Sequence, residues 1–265
     1  MGRLLTACLM FMAVAANSTE SDYVLELGVG AVAGQLPKYA GSSEDYKFVL
    51  PFPYIYYRDK RLTLDKEAVT GTLLQSADWR LSLTASGALP VKKAERRQGM
   101  PELGWVGRAG PQLEYQFHPE WQLSWRLHKA MAISDWKLQN VGWVGDMALT
   151  WEKQLQTEVL PGRLALTAQG IVSYADRRHQ GYYYDVAPQY NLADRPAFQA
   201  KSGLLGTGVS LGLTWRHKDW WLGAYIKYSD LTHSENIASP LLEEQHQVNA
   251  GIALAKVLWT NQRGR

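Results

Sequence analysis

Trp121-Gln-Leu-Ser-Trp-Arg-Leu127, followed by His128, alternates apolar and polar side chains without a break. Successive side chains of a strand point to opposite faces, so Trp121, Leu123, Trp125 and Leu127 share one face and Gln122, Ser124, Arg126 and His128 the other. The same alternation recurs at residues 23–29, 79–84, 164–169, 205–215 and 248–254. A soluble sandwich would give this pattern with its apolar faces turned inward. Length and ends separate the two readings. Many segments run about 10 to 14 residues, enough to cross a bilayer at a tilt, whereas ordinary strands run about 5 or 6. Aromatic residues gather where the segments end, at Trp79, Trp121, Trp143, Trp151, Trp215, Trp220, Trp221, Tyr228 and Trp259. Outer-membrane barrels carry such girdles at both interfaces.

Composition points the same way. Eleven Trp and fourteen Tyr against five Phe suit a surface that is apolar on one side and wet on the other. No run of 18 apolar residues occurs, which excludes helical membrane spans. At the start, Arg3 precedes an apolar run ending in Ala13-Val-Ala15-Ala16, an A-x-A site ahead of polar Asn17. The expectation is a secretory signal peptide over 1–16, removed to leave a single barrel domain over 17–265. Leu5-Thr-Ala-Cys8 matches a lipobox by letter, but almost no apolar segment precedes it. Cys8 is the chain's one cysteine, so the exported chain has no disulfide, thiol nucleophile or Cys-bound metal.

The connections supply a parity test. Strands are expected at about 23–32, 46–57, 60–65, 68–75, 79–88, 104–117, 121–133, 141–153, 163–175, 204–216, 220–230 and 245–258. Every second connection is then a periplasmic turn: 58–59, 76–78, 118–120, 154–162 and 217–219. The alternate set, 33–45, 89–103, 134–140, 176–203 and 231–244, would be outer loops, with a short turn near Asp65. Merging 60–75 into one strand gives eleven and moves several long loops to the wrong end. Twelve strands satisfy the parity.

Tyr39-Ala-Gly-Ser42 after a Gly-rich first strand, Pro51-Phe-Pro-Tyr-Ile-Tyr-Tyr-Arg58, Tyr182-Tyr-Tyr-Asp-Val186, Ser239-Pro240 and a last strand ending in an aromatic occur in that order. Together they resemble the MipA/OmpV family of Gram-negative outer-membrane proteins, over about residues 20 to 259. The resemblance implies an outer-membrane barrel and a non-catalytic scaffolding role, bridging a lytic transglycosylase and a bifunctional penicillin-binding protein in murein synthesis. Other members of the family imply an alternative, a narrow channel or a surface receptor or adhesin for small solutes or antibiotics. The sequence departs from the usual barrel end, because Thr260-Asn-Gln-Arg-Gly-Arg265 follows Trp259.

Alternation assigns Glu26, Arg80, Arg108, Glu114, Arg126, Asp146, Glu152, Arg216 and Lys227 to the lumen, with Gln112, His128, Gln169 and Tyr225. Charges of both signs there must pair or stay hydrated. Either ion pairs fill the lumen, or a charged constriction sets the selectivity of a pore. Catalytic motifs fail their structural tests. Gly208-Val-Ser-Leu-Gly212 spells a nucleophile elbow, but Ser210 sits mid-strand rather than on a strand-to-helix turn. Gly28, Gly30 and Gly34 miss the dinucleotide spacing, and no helical pattern follows. His128 is too far along an extended chain to meet Ser124. The other histidines lack metal-ligand spacing. No enzyme activity, cofactor or metal is expected.

The remaining charge is modest. A net charge of +3 and export argue against nucleic acid. Lys92-Lys93-Ala-Glu-Arg96-Arg97 in an outer loop could meet lipopolysaccharide phosphates, or be merely solvated. The longest outer connection holds Tyr182, Tyr183, Tyr184 and Tyr190 among Asp185, Pro188 and Pro196. Such a stretch suits an ordered loop packed over the barrel mouth, its tyrosines placed for gating or external contact.

Overall fold

The computed structural model describes residues 23–64, 69–134, 137–155 and 161–261. The signal peptide expected over 1–16 lies outside them, as does the tail from residue 262 onward. Twelve antiparallel strands close into a barrel in which each strand pairs with its sequence neighbours and β1 pairs with β12. They are β1 Val24–Pro37, β2 Asp45–Arg58, β3 Leu62–Leu64, β4 Val69–Gln75, β5 Trp79–Ala88 and β6 Trp105–His118. The circuit continues with β7 Trp121–Ser134, β8 Lys137–Leu155, β9 Arg163–Ala175, β10 Gly203–His217, β11 Trp220–Asp230 and β12 His246–Thr260.

Alternation fixes which face is which. Val29, Leu83, Leu113, Leu127, Met147, Val172, Val209, Ile226, Val248 and Ile252 stand exposed on the outer wall, while Ser82, Thr84, Ser124, His128 and Gln247 are buried within. A soluble barrel would reverse that arrangement. Exposed Trp79, Trp105, Trp121, Trp143, Trp220 and Trp259 lie among the wall's aromatic residues. One residue expected in the girdle is not there. Trp221 follows Trp220, so it turns inward, where it is buried against Tyr54 with ring centroids 5.7 Å apart.

At one rim the connections are tight turns, including 59–61, 76–78, 119–120 and 218–219, and the described residues begin and end there, with Asn261 bonded to the Tyr23 carbonyl at 2.8 Å. This is the periplasmic rim by the rule that long loops face outward. The outer loops differ from expectation in two places. β1 and β2 run on to Pro37 and Asp45, shrinking the first loop to 38–44. No loop spans 134–140, because β7 and β8 continue as a hairpin to Ser134 and Lys137. Its inner face is the reason: Ala130, Ala132 and Val141 are buried with Val106 against Ala88 and Tyr182. That contact outweighs the polar look of Lys137-Leu-Gln-Asn140.

The wall is uneven on one side. β3 pairs with β2 only at Tyr57 and Arg58, and β4 reaches no higher than the Val69–Ala85 pair. Above Tyr57, therefore, β2 has a strand ladder only with β1 among the described residues. Pro51 and Pro53 occupy this stretch. Proline has no N–H, so it leaves fewer donors to be satisfied on an edge, which is where sheets tolerate it.

Candidate functional site

The outer mouth is closed by a packed cap. Residues of all four long loops form one buried cluster: Tyr39 from the first, Val91, Ala94 and Leu103 from the second, Tyr184 and Val186 from the third, Leu231 and Leu241 from the fourth. Hydrogen bonds knit the same loops. Tyr39 Oη donates to the Leu241 carbonyl at 2.9 Å, and Tyr184 Oη to the Ala40 carbonyl at 2.8 Å. Ser239 Oγ donates to the Tyr184 carbonyl at 2.9 Å, and Arg97 Nη1 to that of Tyr183 at 2.8 Å.

The third loop is built on a short helix, α1, over Arg177–Tyr184. Asp176 caps it, its carboxylate accepting the His179 N–H at 2.8 Å. An aspartate three residues before a histidine at the end of a strand was the local signal available for this helix. The helix docks on β8. A Cβ on Gly142, which has φ of 96°, would fall on the Asp176 carboxylate and the His179 amide, so only glycine lets the strand come this close.

The four tyrosines expected over the mouth have distinct positions. Tyr184 is 1% exposed and belongs to the cap's core, so its ring meets no outside partner. Tyr183 stacks edge-on against Tyr182, with centroids 5.1 Å apart. Tyr182 Oη accepts the Gly104 N–H at 2.8 Å while its ring packs on the inner faces of β5 to β8. Tyr190 packs on the cap from its margin, in a 3-10 turn over Pro188–Tyr190. Burial raises the phenols of Tyr39 and Tyr183 to about 12, and pushes the imidazole of His179 down to about 4, helped by Arg108. The basic run of the second loop is partly internal. Arg97 is buried, and Arg96 bonds the Pro240 carbonyl at 3.0 Å and Asp194 at 2.9 Å.

Beneath the cap, the strand registers bring several lumenal charges together. Arg216 donates to Glu26 across the β10–β1 side at 2.5 Å, and Tyr54 Oη joins that carboxylate at 3.3 Å. Arg80 meets Glu114 at 3.5 Å across β5 and β6. Arg126 lies 3.8 Å from Asp146, whose other oxygen accepts the Ser173 hydroxyl at 2.6 Å. Glu152 is near the periplasmic rim and accepts from Gln154 at 3.2 Å. Arg108 and Lys227 also point inward, with no carboxylate at ion-pair distance among the described residues. Ser210 remains mid-strand, paired with Lys227 on one side and Gln169 on the other. His128 bonds Thr84 at 2.7 Å. No cluster of three or more metal-binding side chains occurs among the described residues.

A closed antiparallel barrel with a lipid-facing apolar band and a polar, capped interior is an integral outer-membrane protein. The family profile described as MltA-interacting protein MipA matches residues 29–258, and the chain belongs to that family. No curated protein matches the sequence. Among solved structures, it is similar to OccK11 (OpdR) of Pseudomonas aeruginosa at 11% identity, covering 78% of this chain and 63% of that one, with a TM-score of 0.32. The chain thus spans less than two thirds of that barrel. The CymD monoaromatic hydrocarbon channel is 12% identical over 91% of this chain and 89% of that one, with a TM-score of 0.33. OmpT of Vibrio cholerae is 9% identical over 92% of this chain and all (100%) of that one, also at 0.33. Similarity at this level carries no functional assignment.

Proposed function

We propose that this outer-membrane barrel is a non-catalytic scaffold that holds a lytic transglycosylase beside a penicillin-binding protein, with residues 1–16 serving as its removable export signal. The observation that carries the reading is the cap. A barrel whose four long loops share a buried core and interlocking hydrogen bonds is shut toward the outside and suits contact better than passage. Membership of a family described as MltA-interacting supports the transglycosylase as one partner.

The partners would meet the periplasmic rim, since murein lies on that side. Its turns and the adjoining strand end offer charged side chains, among them Asp59, Lys60, Arg61, Glu120, Lys153, Lys218 and Asp219. Glu120 is held by Trp151 at 2.9 Å and Lys153 at 3.3 Å, so part of this surface is preordered. A stable contact needs about 800 Å² on each partner, which several adjoining turns would have to supply together.

Affinity purification from crosslinked outer membranes tests the proposal. Retention of a lytic transglycosylase and a penicillin-binding protein, weakened by charge reversal at Arg61 and Lys218, is the expected result. Retention of neither enzyme would defeat the scaffold reading and leave the channel or receptor reading in its place.

A further inference from the structure

We infer that the middle of the lumen is a binding site for one small oxyanion, a group bearing phosphate or carboxylate oxygens, entered from the periplasm. The inference does not depend on the scaffold reading. The lumenal charges are out of balance. Arg216 and Arg80 each have their own carboxylate, Glu26 and Glu114. Of Arg108, Arg126 and Lys227, only Arg126 has a carboxylate at ion-pair distance among the described residues, Asp146 at 3.8 Å. These four side chains come from β6, β7, β11 and β8; register sets Arg126 opposite Asp146 and Asp146 opposite Ser173, and Lys227 reaches over Gly208, whose partner Ile171 is the next inward residue to Ser173. His128 is the next inward residue after Arg126 on β7, and Arg108 lies opposite Ala130, one inward step further. They therefore occupy neighbouring positions of the inner face, with three positive charges against one negative.

The donors are also unmet. The Nε atoms of Arg108 and Arg126 are buried without a hydrogen-bond partner among the described residues. Asp146 cannot serve all three cations, because it already takes the Ser173 hydroxyl and stands 3.8 Å from Arg126. Lys227 lies over Gly208, where even a Cβ would come within 3.3 Å of its Cε; the missing side chain leaves it room. Unpaired cations inside a barrel wall are costly unless a counter-charge or water meets them. Two guanidinium forks beside an ammonium match oxyanions better than a spherical ion, because each fork can donate two parallel N–H bonds.

The cap sets the direction of entry. α1 docks against Gly142 of β8, and its Tyr182 packs on Val106 and Ala130, the inward neighbours of Arg108 and His128, so the helix lies on the outer side of the cations. With the outer mouth capped, the proposed entry is from the periplasmic side.

Isothermal titration calorimetry on the full, folded chain in detergent at low ionic strength tests this, with inorganic phosphate, acetate and chloride as separate titrants. Phosphate or acetate should give saturable binding near one per barrel, which chloride fails to reproduce at the same concentration. Arg108→Gln and Lys227→Gln should each weaken it at least tenfold, and Lys92→Gln on the outer surface should leave it unchanged. The heat-modifiable gel shift of a folded barrel checks each variant. No saturable heat with either oxyanion would overturn the site, as would equal binding of chloride or unaltered affinity in a folded Lys227→Gln protein. The wild-type comparison of the three anions decides the matter even if both variants fail to fold.

Discussion

Single side chains inside this barrel answer to partners that are distant in sequence. Glu26 is the clearest case. It is 8% exposed, and Arg216, 190 residues away, is its counter-charge. Removing one member of a buried pair strands the other, at a cost of about 3–5 kcal/mol when both are fully buried. Arg216 keeps 31% of its side chain exposed, so Arg216→Met should cost about 2 kcal/mol, read from urea unfolding in lipid vesicles. An unchanged midpoint would mean that the pair adds nothing to stability.

His179 carries a pH dependence in the cap. Burial holds its imidazole near 4 where it docks, below the ordinary 6.5. Between those values an undocked helix binds a proton that the docked helix does not, so docking weakens as pH falls through that window and is unaffected above it. Hydrogen exchange of residues 177–184, corrected for intrinsic rates, should rise between pH 7 and pH 4.5. His179→Gln should flatten the response; an equal slope in that variant would assign the effect to another group. The inward direction of such residues was legible from alternation alone, as with Glu26, Arg80 and Arg126. Their pairing was not, because a salt bridge between Glu26 and Arg216 depends on barrel closure and register. Trp221 shows the other limit: aromatic type suggested the girdle, and its parity with Trp220 should have turned it inward.

At the level of strands and helices, periodicity located all twelve strands, and the parity of turns fixed their number. It was weakest where tertiary contact decides the outcome. The β7–β8 hairpin extends through a segment with polar residues because Tyr182 covers its inner face. α1 has eight residues, too short to form alone, and exists because Asp176 caps it and Gly142 lets β8 approach. β2 carries the sharpest element-scale expectation. Its outer part has a ladder with β1 and none on the other side among the described residues, while β7 is paired along most of its length on both sides. Amides of residues 46–56 should therefore exchange faster than those of 122–132 in lipid nanodiscs. Equal protection would show that the wall is continuous there.

For the whole molecule, the same physics that makes a barrel insoluble in water makes it a stable platform: backbone groups are satisfied within the wall and apolar side chains face lipid. The cap adds a second, water-facing core built from four loops. Fold and membrane location followed from strand length, alternation and aromatic ends. The cap's role did not, because loops 38–44, 89–104, 176–202 and 231–245 have no common signature until they touch. Planar-bilayer recording of the purified protein tests the closed, contact-making barrel most directly. The intact chain should show no discrete conductance, and deletion of residues 181–200 should produce steps by removing most of the third loop's share of the plug. Clear ohmic steps from the intact chain, of the same size as those of the deletion, would contradict it.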